Sequence, residues 1–381
     1  MQSLSDRGIF PCLAAMVVIL SAIRSPDDAE GADRIVLRNL TVISDRTVAS
    51  LDVDGVRLDN GSLLTWDEIE KATVTPTQQV EFDALLKQLG EPLYRIRQRL
   101  STGDYAGLLA YAEPIYPRYA GRDSATAYMV EQSLMWGRLA AGRREAALEP
   151  YLRCLAYLRA HRGRAELPGD RRLQVDWQSG LTAELAPVWF VALAARDHLP
   201  EVFRRIGELP RPRPPGVYVY YVSLALAAGE MESASQVLAT IPSSEPRIAE
   251  LRSILAAQQE ILQNQSGEAT AVLVAAHDDI SQANRPLAWY WLGLSQLAST
   301  DQDRRRQGAL ELLRIPALHG REAPELAAAA LYRVMNELAT AGDVRGSIAV
   351  RRELLERYGQ TYYAGRARAA SPEPADTKET P

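Results

Sequence analysis

The stretch "AAGRREAALEPYLRCL", residues 140–155, sets a glycine, a small residue, a large residue and a small residue at Gly142, Ala147, Tyr151 and Cys154. A helix that must lie close to a partner needs a small residue on its near face. One turn later it needs a large side chain to fill the gap. A second small residue then receives the next helix. The stretch therefore reads as the second half of a helical hairpin that opens after the glycine turn.

The same ruler fits elsewhere. Gly229, Ala234 and Leu238 follow it, with Pro246 as a closing proline, and Gly103-Asp104-Tyr105 forms a similar turn with Leu108 at the small position. Trp289, Leu292 and Gly293 look like a first helix, whose second helix brings Ala309 and Leu313 about four residues late. A last hairpin runs from Leu326 past Gly342 to Gly359. Breaks such as "STGD", "AAGR", "AAGE" and "TAGD" recur between helix pairs, which is how an array of helical hairpins is punctuated.

These residues resemble the tetratricopeptide repeat, and the last hairpin resembles the repeats of bacterial envelope-assembly proteins of that family. The resemblance implies a mainly α fold, a tetratricopeptide-like α-α superhelix or solenoid. It also implies that first helices line a concave surface. Counting back from the turn glycines puts Gln132 and Trp136, then Tyr290, then Tyr332 and Asn336, on that face as partner-binding residues. Tyr332 stands where a carboxylate-clamping lysine would be, so that clamp is not expected. Cys154 reads as a core residue.

Residues 33–76 differ. Val48, Leu51, Val53, Val56, Leu58 and Leu63 largely alternate with polar residues and are separated by "VDG" and "NG" turns, a hairpin signal. With the turn at "TWDEIEK" before a last strand near Thr73, the segment resembles a small SH3-like or Sm-like β-barrel module. Helical repeats are expected over 77–208 and 217–369, separated by the proline-rich joint "LPRPRPPG" at 209–216. A further joint is expected at 162–172, and residues 370–381 read as a disordered tail.

The first 32 residues read as a secretory signal. Ile9–Ile23 is an uncharged apolar run of 15 residues, shorter than the ~20 a spanning helix needs, and Ala29, Gly31 and Ala32 follow it. The expected location is the periplasm or the exterior, with an uncleaved anchor as the lesser alternative. Stable membrane insertion after signal removal is not expected. Glu184 and Pro187 interrupt the most apolar later run, Leu181–Ala195.

The chain has 381 residues, is 47% hydrophobic and carries a formal charge of −5. This argues against a nucleic-acid partner, for which a basic stripe is expected. His161, His198, His277 and His319 are scattered, and no H-E-x-x-H, nucleophile elbow or phosphate-binding loop is present. No metal or other cofactor is expected. The sequence does not settle oligomeric state. The function expected is a non-enzymatic scaffold binding a protein or peptide of the cell envelope. The rival is an α/α-toroid carbohydrate-active enzyme, using tryptophans to stack sugars and a carboxylate pair that the sequence does not single out.

Overall fold

The computed structural model describes residues 33–165, 167–276 and 279–370. The apolar leader at 1–32, Glu166 of the first joint, His277, Asp278 and the tail at 371–381 lie outside the described residues.

The chain is mainly α-helical with a small antiparallel β region at its start. Strands β1 (Arg34–Leu37), β2 (Val42–Ile43) and β6 (Ile69–Thr73) form one three-stranded sheet. The other consists of β3 (Val48–Asp52), β4 (Gly55–Leu58) and β5 (Leu63–Leu64). The "VDG" turn is tied by Asp52 Oδ1, which accepts from the amides of Asp54 at 2.7 Å and Gly55 at 3.2 Å. Trp66 fills the centre, donating from Nε1 to the Asp52 carbonyl at 2.8 Å and setting its ring edge against Phe82. A module this small buries too little surface to stand alone. It is pinned to the helices by the Tyr119 hydroxyl, which donates to the Val53 carbonyl at 2.6 Å, and by Arg122 and Ser124, which both bind Asp54.

Helix α1 (Pro76–Leu85) runs through a π-helical turn into α2 (Glu91–Thr102), followed by α3 (Leu109–Tyr119), α4 (Ala125–Ala140) and α5 (Arg144–Ala160). After a long irregular stretch come α6 (Ala192–Glu208), α7 (Gly216–Ala228), α8 (Met231–Thr240), α9 (Pro246–Leu262) and α10 (Ser266–Ala276). The last five are α11 (Arg285–Leu297), α12 (Gln302–His319), α13 (Pro324–Thr340), α14 (Val344–Arg357) and α15 (Tyr362–Ala369). Gly103, Gly142, Gly229 and Gly342 sit at helix ends with φ of 73°, 69°, 83° and 83°. Side chains rarely adopt that region, so the glycines end the helices sharply.

Most helices pack chiefly on a sequence neighbour, α15 packing instead mainly on α13, and α7, α9, α11 and α13 also touch one another in turn to make a continuous row. Ala147, Tyr151 and Cys154 are all buried in α5. Pro150 lies inside that helix and has no amide to give the Ala146 carbonyl; Arg138 of α4 supplies the missing donor at 2.6 Å. Between α11 and α12 the close approach is made by Gly293 and Gly308, one residue before the Ala309 that the spacing predicts. A Cβ on Gly293 would stand 2.6 Å from Leu312 Cγ and 2.9 Å from the Gly308 carbonyl oxygen. Gly308, Leu312 and Ile315 are buried, whereas Ala309 and Leu313 are only partly so. The glycine pair brings the two backbones together, which an alanine at 309 cannot do.

The first joint extends beyond the expected 162–172. Residues 161–191 contain no helix among those described, only the isolated bridge between Val175 and Thr182. Gly180, Pro187 and the β-branched or aromatic run Val188–Val191 disfavour helix there. At its other end the helical body turns back on this region. The Tyr362 amide lies 3.6 Å from where a Gly142 side chain would begin, and Phe190 packs edge-on against Tyr363 with centroids 5.0 Å apart. Among the described residues no helix is long and apolar enough to cross a membrane.

Candidate binding site

The faces of α5, α7 and α9 turned toward residues 173–191 carry side chains that hold its backbone. Tyr151 donates to the Gly180 carbonyl at 2.6 Å. The Tyr220 hydroxyl accepts from the Thr182 amide at 3.0 Å and donates to the Leu185 carbonyl at 2.8 Å. Arg144 donates to the carbonyls of Ala186 at 2.8 Å and Val188 at 3.1 Å. Glu145 accepts from the amides of Phe190 at 2.7 Å and Val191 at 2.9 Å. Arg247 of α9 meets Asp176 at 3.1 Å, in a turn that this aspartate closes by bonding Ser179. A non-helical segment must have its buried amides and carbonyls satisfied by other groups; here side chains share that work with turns inside the segment, such as the Val188 amide to the Ala186 carbonyl at 2.7 Å, and with the bridge between Val175 and Thr182. Leu185, Val188 and Trp189 are buried in the same stretch. These faces of α5, α7 and α9 therefore carry a segment of the chain's own.

Clefts open on both sides of that segment. One, of about 450 Å³, lies between Leu181–Pro187, Arg247, Leu287 and the end of α12 at His319. The other, of about 400 Å³, is lined by Tyr105, Trp136, Arg171, Glu184, Arg321 and Glu325. Ala183, Ala186, Glu322, Ala323 and Leu326 border both. Arg171 lies over the Trp136 ring at 4.8 Å and the Tyr105 ring at 4.5 Å and is paired with Glu184. Burial raises the Glu325 carboxyl above its ordinary range, against the opposing pull of Arg144 and of the Tyr362 amide. Its Oε2 is buried without a hydrogen-bond partner among the described residues.

The sequence-derived residues fall into separate places. Trp136 borders the second cleft, but only 2% of its surface is exposed, because Tyr105 and Arg171 cover it. Gln132, one turn earlier, is fully buried, with neither amide atom partnered among the described residues. Tyr290 is buried beside Trp291 in a third cleft. Tyr332 packs against Tyr363 with centroids 4.8 Å apart, and Asn336 is exposed and lines none of these clefts. Trp136, Tyr290 and Tyr332, counted onto the concave face, are all buried at or behind cleft walls. Of the residues that do hold backbone, the repeat spacing selects Tyr151, as a packing residue, and not Arg144, Glu145 or Tyr220. One signal for them exists in α7, "GVYVYYVSLALAA", which is apolar all round. Such a helix is covered on every side, so its inner face cannot be an open groove.

A separate polar cluster lies between α3, α4, α5 and α6. Glu149 takes the Tyr116 hydroxyl at 2.5 Å, Arg153 at 2.6 Å and Arg205 at 3.2 Å, and Arg153 also reaches Glu131 at 3.6 Å. Burial pushes the Glu131 carboxyl up to about 8, opposed by Arg153 and reinforced by Glu149. Cys154 is fully buried and burial raises its thiol well above the ordinary value, which leaves little thiolate for chemistry. Among the described residues no group of three or more His, Cys, Asp or Glu is placed to hold a metal ion. No protein-family model, curated protein or solved structure matches this chain.

Proposed function

We propose that the chain is a non-enzymatic scaffold of the cell envelope. In this reading it binds a protein or peptide through the inner face of a tetratricopeptide-like α-α superhelix, with the SH3-like or Sm-like module docked at one end. Export rests on the apolar leader and its small-residue boundary. The observation that carries the binding reading is the way residues 173–191 are held: α5 and α7 take non-helical backbone at Gly180, Thr182, Leu185, Ala186, Val188 and Phe190. A face with that chemistry suits non-helical polypeptide. The clefts beside the segment leave room for a partner strand next to it, with Trp136 and Arg171 in the wall and Arg321 and Glu322 at the rim. The test is capture from native envelope fractions by the wild-type chain and by a double variant, Arg321→Glu with Glu322→Lys. Both residues are exposed, so the fold is expected to survive while capture is lost. Equal capture by a folded double variant contradicts the assignment of the cleft.

One observation favours the toroidal enzyme as a second reading. The end of the helical body comes back to the turn between α4 and α5 at Tyr362 and Gly142, and the cleft beside it holds two carboxyls in unlike settings. Glu184 is ion-paired to Arg171, whereas burial keeps Glu325 protonated more readily, a division suited to acid–base work. Release of reducing sugar from envelope glycans, abolished by Glu325→Gln, would establish it over the scaffold.

A further inference from the structure

The row α7, α9, α11 and α13 continues past Trp189 and there walls a third cleft, of about 350 Å³. Trp189, Phe190, Ile261, Trp291 and Leu294 give it an apolar, aromatic lining. Among the described residues, Arg333 is the one charged side chain in that lining, and no carboxylate borders the cleft. The nearest acid along α13, one turn on at Glu337, is already held by two nitrogens of Arg305, at 2.8 and 2.7 Å. Arg333 instead faces the hydroxyls of Tyr290 and Tyr363. The contrast with the neighbouring cleft is sharp, since Arg171 there is neutralised by Glu184.

Two more polar groups of the wall lack partners among the described residues. Gln258 is 3% exposed and Trp291 8% exposed, and neither Gln258 Oε1 nor Trp291 Nε1 has a hydrogen-bond partner. Unpartnered buried donors and acceptors are rare in folded chains and call for an explanation. An exposed guanidinium with no acid partner among the described residues, at the edge of an aromatic cleft, has the makeup of a small-molecule site: mostly apolar walls with a polar group that orients the ligand.

We propose that this cleft binds a small amphipathic carboxylate, its anionic head paired with Arg333 and its apolar body held by the aromatic walls. A single guanidinium balances a monoanion; a phosphate dianion would bring uncompensated charge into an apolar cleft. At roughly 30 Å³ per water-sized volume, the space suits about a dozen non-hydrogen atoms. The site lies at the Trp189 end of the segment and does not depend on the scaffold reading.

Calorimetric titration of the full chain with decanoate, decanol and decyltrimethylammonium tests this. Decanoate is expected to bind at one site, and decanol and the cation roughly tenfold more weakly or worse, as for loss of a charge-assisted contact. Arg333→Gln should weaken decanoate by a similar factor and leave decanol unchanged. Absence of decanoate binding, equal binding of decanoate and decanol, or an unchanged decanoate affinity in a folded Arg333→Gln variant would overturn the proposal. The comparison of probes on the wild-type chain needs no variant, so the result does not hinge on how Arg333→Gln folds.

Discussion

Arg144 holds Val188 from 44 residues away, its Nε donating to the Val188 carbonyl at 3.1 Å while Nη2 takes the Ala186 carbonyl. The adjacent Glu145 accepts from the next two amides, Phe190 and Val191. Two consecutive side chains at the start of α5 thus satisfy both kinds of backbone group along one short non-helical segment. Arg144 is buried, and burial lowers its pKa, against the pull of Glu325 and Glu145.

Arg144→Met should therefore be strongly destabilising. It fills much of the space and leaves the Val188 carbonyl without its donor, at a cost of about 1–3 kcal/mol, while the Ala186 carbonyl keeps the Val188 amide at 2.7 Å. Urea or thermal unfolding should show a loss of that order or more. A loss below about 0.5 kcal/mol, a small fraction of one orphaned carbonyl, would mean that water replaces the guanidinium and that the segment is not held by it.

Gly293→Ala sets helix propensity against packing. Alanine favours a helix over glycine by ~1 kcal/mol, but its Cβ would lie 2.6 Å from Leu312 Cγ and 2.9 Å from the Gly308 carbonyl oxygen. Overpacking of ~1–3 kcal/mol should win, lowering the melting temperature. Gly207→Ala in α6, where nothing lies within 4 Å of the new atom, should raise it. A rise in both would mean that α11 and α12 are not in backbone contact.

The mainly helical body and the β start are legible in the sequence because their signals are local. Alternation at Val56 and Leu58, the Asn60-Gly61 turn and glycines such as Gly229 each act within a few residues. The fate of the inner face is not local. Whether Trp136 meets a partner or Arg171 depends on a loop whose course no periodicity reveals. Residues 173–191 have neither a helical nor a strand pattern, and their hydrogen-bond partners at Tyr151 and Tyr220 lie 29 or more residues away. Gln132 shows the same limit: a polar residue counted onto a binding face is fully buried. Nothing in its neighbours along the chain signals that burial.

Glu131 should make stability depend on pH. Its carboxyl, pushed up to about 8 by burial, binds more proton in the folded chain than in the unfolded one. The contribution is therefore fully present below the ordinary carboxyl range and is lost as pH rises toward about 8. Relative to the wild type, Glu131→Gln should gain stability across that interval, by on the order of a few kcal/mol. Unfolding curves on either side of neutrality, from mildly acidic to mildly alkaline buffer, measure the difference. A gap that stays constant with pH would show that Arg153 keeps Glu131 ionised throughout.

The most direct test of the proposed partner binding beside the 173–191 segment uses a photo-activated cross-linker in place of Ala183. That residue is exposed and borders both clefts beside the 173–191 segment. A second chain carries the same group at Arg345 in α14, which is exposed and borders neither these two clefts nor the one beside Trp291. Illumination in native envelope should join a protein to position 183 and not to position 345, with the adduct mapped to a non-helical stretch of the partner. Adducts at position 345 alone, or at neither position while the folded chain still captures its partner, would place binding elsewhere and contradict the inner-face assignment.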